Sequence, residues 1–138
     1  MLLMSAASIV TTTALSELAA QGHPAIRVTH VPVFMHIDPA GTAISTLAER
    51  SGVSRQAMSM TVRDLESHGY VVTAPSDTDR RAILVSLTER GARLCEDAAR
   101  ISSELAARWS DELGDDALPQ LRHHLRTIVT RSKERDTD

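Results

Sequence analysis

Residues 45–68 read STLAERSGVSRQAMSMTVRDLESH, and residues 69–91 continue GYVVTAPSDTDRRAILVSLTERG. The first stretch holds two short helices separated by Ser51-Gly52-Val53, a break with glycine at its centre and the spacing of a helix-turn-helix. Ser45 is expected to cap the first helix, which carries Leu47 and Ala48, and Ser54 to cap the second, which runs to about His68. At about 100° per residue, Met58, Val62 and Leu65 share one face of the second helix. Gln56, Ser59, Met60, Arg63 and Ser67 point outward or flank that face. The period then changes. Residues 70–74 and 82–87 read as two strands, with Ile83, Val85 and Leu87 alternating against Ala82, Leu84 and Ser86, and a polar loop over 75–81 joins them.

A helix-turn-helix followed by such a hairpin is a winged helix, and the outer residues have chemistry to match. Gln56 offers a bidentate amide, Ser59 a hydroxyl, Met60 a flexible thioether and Arg63 a guanidinium, all suited to base edges and phosphates in a major groove. Arg55 sits in the first turn, where helix N–H groups also favour a phosphate oxygen. At the projecting tip, Asp79-Arg80-Arg81 presents arginine to the strongly negative potential of a minor groove, and Asp79 is near enough in sequence to hold one guanidinium. A solvated helix and a loop with a local ion pair would look the same taken singly. The two together favour double-stranded DNA.

Working outward, Leu3, Ala7, Val10, Ala14 and Leu18 form an apolar stripe of a first helix, ended by Gln21-Gly22-His23-Pro24. Thr29 resembles an N-cap and Pro32 fits the first turn of a short helix through Ile37, before the turn Asp38-Pro39-Ala40-Gly41. Beyond the hairpin, Thr88 is placed to cap a long helix with the seam Leu94, Ala98, Ile101, Leu105, Trp109 and Leu113. Gly114-Asp115-Asp116 stops it and caps a last helix, with Pro119 in its first turn and a stripe of Leu118, Leu121, Leu125 and Ile128. The order is α-α-α-α-β-β-α-α within 138 residues, the length of one domain with a core of its own.

Composition removes several function classes. Phe34, Tyr70 and Trp109 are the aromatic residues, too few for a base-stacking platform on single strands. A lone cysteine, Cys95, forms no internal disulfide or cysteine zinc site, which fits a reducing compartment, and it reads as a packed, inert thiol. The six histidines lack ligand spacing, since His30 and His36 are six apart and adjacent His123 and His124 diverge by about 100° on a helix. No Ser/His/Asp set, phosphate-cradling glycine loop or catalytic carboxylate pair is seen. No enzyme, metal or cofactor is therefore expected. Residues 2–15 invite a signal-peptide reading, but the first cation is Arg27, Thr11, Thr12 and Thr13 dilute the apolar run, and Glu17 follows. They are expected to be a helix of the folded domain, with no membrane partner.

Leu47-Ala48-Glu49-Arg50-Ser51-Gly52-Val53, Leu65-Glu66-Ser67-His68-Gly69-Tyr70-Val71, Asp77-Thr78-Asp79-Arg80-Arg81 and Leu87-Thr88-Glu89-Arg90-Gly91 follow in that order. Together they resemble the signature of the MarR family of winged helix-turn-helix transcription regulators, over about residues 42–95. Val28-Thr29 resembles the family's approach to its second helix, and the other flanking helices match in number, order and length. The resemblance implies a mainly α fold with a small β-hairpin wing (α+β), flanked by N- and C-terminal dimerisation helices. The expected divisions are 1–37 and 91–133 for dimerisation and 42–90 for the DNA-binding lobe.

Carried over by position, the reading helix spans 54–68, with Ser54, Arg55, Gln56, Ser59, Met60 and Arg63 as its contacting face. Arg81 would be the minor-groove arginine, Asp79 its orienting partner and Arg80 a phosphate neighbour. The implied function is a cytoplasmic repressor that binds a pseudo-palindromic operator as a homodimer and is released by a small lipophilic or phenolic effector. Arg27, His30 and Phe34 lie near the family's effector region, but each is expected to serve structure. Two departures stand out. The first helix begins near Met1 with few charges, so its share of a dimer is expected to be short, and its triple threonine lowers helix propensity. A rival from another class is a winged-helix protein-interaction module that no longer reads DNA; Gln56, Arg63, Asp79 and Arg81 count against it.

The formal net charge of −3 argues at first against a phosphate-binding protein. Its distribution reverses that. Residues 45–95 hold seven arginines against six acids, a balance of +1, while residues 96–138 hold seven cations against ten acids, a balance of −3. The remaining −1 belongs to residues 1–44, where Arg27 faces Glu17 and Asp38. The acidity thus sits mainly in the C-terminal part, and the slight local balance implies weak non-specific affinity and reliance on paired, shape-matched contacts.

Overall fold

A computed structural model describes residues 1–79 and 81–135, and divides the chain into two compact units, 1–99 and 100–138. The elements are α1 (Leu2–Ala20), a 3-10 turn (Val28–His30), α2 (Val31–His36), β1 (Thr42–Ala43), α3 (Ile44–Ser51), α4 (Arg55–Ser67), β2 (Val71–Pro75), β3 (Ile83–Leu87), α5 (Glu89–Leu113) and α6 (Ala117–Arg135). This is the expected helical winged helix with a hairpin wing.

In the first unit, α3 and α4 form the helix pair. Gly52 takes a left-handed conformation at φ +66°, and its N–H and that of Val53 bond back to the carbonyls of Glu49 and Ala48, closing α3. Ser54 Oγ then accepts from the N–H of Ala57 at 3.1 Å, opening α4 as expected. Met58, Val62 and Leu65 are buried, as the helical period requires, over Leu47, Ala48, Val33 and Val71 in the core of this lobe.

The hairpin pairs β2 with β3 antiparallel, Val71 opposite Leu87 and Pro75 opposite Ile83. A third strand, β1, was not expected. Thr42 lies opposite Val85, so β3 is central and β2 is an edge. Two residues carry no visible alternation, which is why sequence pattern misses them.

Two expected caps are corrected. Ser45 lies inside α3, whose N-cap is Ala43 with no side-chain hydrogen bond, because β1 delivers the chain in extended form up to Ala43, two residues earlier. Thr29 lies inside the 3-10 turn, whose N-cap is Arg27. Thr88 does cap α5, its Oγ1 accepting from the Gly91 N–H at 3.1 Å. The stripe foreseen on α1 is also revised. Only Leu18 is buried, and Leu2, Leu3, Met4 and Ile9 are exposed. By length and composition alone α1 could cross a bilayer.

On α5, Leu94, Ile101 and Leu105 are buried, whereas Leu113 is exposed. The second unit carries an open apolar groove of about 480 Å³ lined by Ala106 and Trp109 from α5 and by Leu118, Leu121, Leu125 and Val129 from α6.

Gly91 is required by close approach. A Cβ there would lie 2.1 Å from the backbone oxygen of Tyr70. Gly91→Ala is therefore expected to destabilise the protein by about 1–3 kcal/mol, read from the urea-unfolding midpoint at unchanged slope.

Candidate nucleic-acid interface

The outward side chains expected on α4 form a surface. Ser54, Arg55, Gln56, Met60 and Arg63 are exposed, and Ser59 is half-buried. Their presentation follows from the burial of Met58, Val62 and Leu65, which leaves the opposite face of α4 outermost. Met60 keeps 64% of its surface, large for an apolar side chain on a packed helix. Ser59 is partly committed, since its hydroxyl donates to the Arg55 carbonyl at 2.8 Å and keeps lone pairs for accepting.

The wing tip is knitted by a residue the sequence did not single out. Buried Ser76 Oγ accepts from the N–H groups of Thr78 (3.3 Å) and Asp79 (3.4 Å) and lies 3.1 Å from Thr78 Oγ1. The Ser76 and Ala82 backbones close the loop, Ser76 N–H bonding to Ala82 O and Ala82 N–H to Asp79 O, each at 2.9 Å. Asp79 orients Arg81 through the main chain, its Oδ1 accepting from the Arg81 N–H at 3.0 Å. The bond is to the main-chain N–H, in place of the guanidinium expected from the sequence. Arg81 and Asp79 are exposed at this tip, and Arg80 lies outside the described residues.

Two polar clusters stand behind this surface. The first centres on Asp64 of α4. Its Oδ2 receives Arg27 Nη2 at 2.5 Å and His30 Nε2 at 2.7 Å. His30 is buried, and its Nδ1 accepts from the Arg27 backbone N–H at 3.1 Å. A neutral ring must therefore carry its proton on Nε2 and donate it to Asp64. Burial pushes the His30 pKa below its ordinary value, against the raising effect of Asp64. Asp64 is itself partly desolvated, which works to raise its pKa, but the hydrogen bonds from His30 and Arg27 carry it below the ordinary carboxylate value.

In the second cluster, His23 Nδ1 lies 3.0 Å from the Tyr70 hydroxyl and Nε2 lies 3.2 Å from Asp97 Oδ2 on α5. Arg90 stacks over the Tyr70 ring at 4.5 Å and donates to the His68 carbonyl at 2.9 Å. Phe34 meets Tyr70 edge-on. Arg27, His30 and Phe34 are thus all engaged by neighbours within the lobe.

Among the described residues no group of three or more His, Cys, Asp and Glu is arranged to hold a metal ion. Cys95 is half-buried, and burial together with Glu96 pushes its thiol up, away from the reactive thiolate.

Residues 26–82, from the end of the first loop to the tip of the hairpin, match the model of the MarR family. Over this stretch the chain is similar to the MarR family. A regulator of this family from Rhodococcus sp. RHA1 is 26% identical, with a TM-score of 0.73 over 92% of this chain and 89% of that one. CouR from Rhodococcus jostii RHA1, in a structure bound to p-coumaroyl-CoA, is also 26% identical, with a TM-score of 0.70 over 92% of this chain and 88% of its own. CouR on a 23-mer DNA duplex shares the fold at a TM-score of 0.74 and 24% identity, over 92% of this chain and 89% of that chain. The transcriptional activatory protein BadR of Rhodopseudomonas palustris is 29% identical over 89 residues, 64% of this chain. The match spans half of BadR's length.

The Asp64 cluster has a defined acid response. Both groups bind protons less readily folded than unfolded, so their stabilisation is present at higher pH and lost as pH falls. The His30 contribution declines below about 6.5 and that of Asp64 below about 3.8. Melting temperature is expected to fall between about pH 7 and 5, and His30→Gln, measured over the same range, should flatten that slope.

Proposed function

We propose that this chain is a cytoplasmic, sequence-specific transcription regulator that binds a pseudo-palindromic double-stranded operator as a homodimer. One observation carries the reading. Gln56, Met60 and Arg63 lie outward on a helix whose other face is buried, beside a wing tip that pins the Arg81 backbone. Helix and wing are spaced in the chain as a major-groove reader and a flanking minor-groove probe require. Ser54, Arg55 and Ser59 complete the helix contacts, Asp79 orients the tip, and Arg80 is assigned a phosphate by its sequence position alone.

Dimerisation is supported by apolar surface. Exposed Leu2, Leu3, Met4 and Ile9 on α1, and separately the groove of the second unit, suit coverage by a second copy. Operator occupancy by two such lobes obstructs transcription without further contacts, so repression is the mode proposed. CouR, described as a repressor and seen with DNA and with a CoA ester, supports a regulator released by a small lipophilic or phenolic effector.

Binding of the purified protein to its own upstream DNA is expected to weaken steeply with salt, log K falling by about 0.9 per phosphate neutralised for each unit of log salt. Arg81→Ala should weaken binding at every sequence by about 1–3 kcal/mol and reduce that slope. Gln56→Ala should instead relax preference at one operator position, with about 1–3 kcal/mol of discrimination lost there. Protein that shows no salt-dependent binding to this DNA by fluorescence anisotropy would overturn the reading in favour of a protein-interaction module.

A further inference from the structure

Two carboxylates sit on the proposed reading helix, Asp64 and Glu66, where negative charge opposes an approaching phosphate backbone. The wheel puts them on opposite flanks of α4, roughly 160° apart, between the buried face and the outer face. Each is used within the lobe. Asp64 Oδ2 ties α4 to the 3-10 turn through His30 Nε2 (2.7 Å) and Arg27 Nη2 (2.5 Å). Glu66 Oε1 accepts from both the backbone N–H of Thr73 (2.9 Å) and its hydroxyl (2.8 Å), tying α4 to β2. Because β2 is the edge of the sheet, the Thr73 N–H that Glu66 takes up has no partner strand on that side. α4 is therefore braced on one flank to the turn after α1 and on the other to the wing.

We propose that Asp64 and Glu66 are positioning residues for DNA recognition, holding the reading helix and the wing in the mutual placement that lets both grooves be entered at once. This rests on the DNA-reading function proposed above. Neither carboxylate touches DNA in this scheme. Each acts by fixing where Gln56, Met60, Arg63 and Arg81 arrive, and a misplaced pair keeps its phosphate attraction while losing its match to one sequence.

The sign of the effect separates this from a pair of ordinary solvated acids. Removing a surface negative charge from a DNA-facing helix should tighten binding to any duplex. Removing a brace should weaken binding to the preferred duplex and leave other duplexes as they were or tighter. Glu66→Gln keeps an acceptor oxygen for Thr73 without the charge, whereas Glu66→Met removes both at similar size. Asp64→Asn and Asp64→Leu make the same comparison on the other flank.

The probes are the duplex that the wild-type protein selects from a random-sequence pool and a scrambled duplex of the same length. Glu66→Met and Asp64→Leu are expected to lose about tenfold in affinity for the selected duplex, the scale of a hydrogen-bonded charged group, with the scrambled duplex unchanged or tighter. Glu66→Gln and Asp64→Asn should stay within about twofold of wild type on the selected duplex, since an acceptor is retained. Thermal melts accompany each variant. Should Glu66→Met fail to fold, Asp64→Leu on the other flank decides the matter: loss of the selected-duplex preference supports the brace, and full retention overturns it. Selected-duplex affinity in Glu66→Met equal to or tighter than in Glu66→Gln overturns the inference alone. A wild-type protein that selects no duplex overturns both this inference and the DNA-reading function beneath it.

Discussion

Tyr70 joins the segments of the winged helix, and their placement depends on it. Its N–H bonds to the Leu65 carbonyl at 3.0 Å, ending α4, and its own carbonyl accepts from Thr88 N–H and Thr88 Oγ1, each at 3.1 Å, where β3 gives way to α5. Its ring is fully buried, faced by Phe34 and covered by the Arg90 guanidinium, and its hydroxyl meets His23. Arg90 in turn donates to the carbonyls of His68 and Gly22. A single residue at the foot of the wing is thereby bonded to the end of α4, to the start of α5 and to the loop after α1. The missing side chain of Gly91 is what lets α5 start against the Tyr70 carbonyl.

That joint accounts for two of the blocks that resemble the MarR family signature and never reach the proposed DNA surface. In Leu87-Thr88-Glu89-Arg90-Gly91, the threonine caps α5 and donates to the Gly69 carbonyl at 2.7 Å, the arginine stacks on Tyr70, and the glycine admits the close approach. In Leu65-Glu66-Ser67-His68-Gly69-Tyr70-Val71, Leu65, Tyr70 and Val71 are core, and Glu66 holds Thr73. The motifs record the joint between α4 and the hairpin as much as the proposed DNA surface. Placing two probes in two grooves demands fixed geometry between them, and that geometry is built from hydrogen bonds and one buried ring.

Much of this was legible from residue order. The 3.6-residue period placed Met58, Val62 and Leu65 inward and Gln56, Met60 and Arg63 outward, because a helix has only one way to bury a stripe. Ser54 acted as the cap its side chain suits. Short-range rules misled where a longer-range partner intervened. Ser45 lost its capping position to β1, a two-residue strand that exists because Val85 and Leu84 of β3 lie alongside. Asp79 was legible as a partner for Arg81, but whether its carboxylate meets a guanidinium or a backbone N–H depends on how Ser76 folds the tip. The roles of His23, His30 and Asp64 carried no local signal, since their partners lie 34 to 74 residues away.

Sequence by itself determined the order of helices, the hairpin, the outward set on α4 and the glycine at the break between α3 and α4. These follow from periodicity, caps and backbone sterics, which act within a few residues. Tertiary structure decided which polar groups are occupied. It turned His30 and Asp64 into a half-buried tether, Glu66 into a clasp on the wing, and the apolar α1 into an exposed helix with Leu18 as its buried contact. Such choices depend on distances between segments far apart in the chain, where desolvation and hydrogen-bond geometry, rather than local propensity, set which pairing is stable.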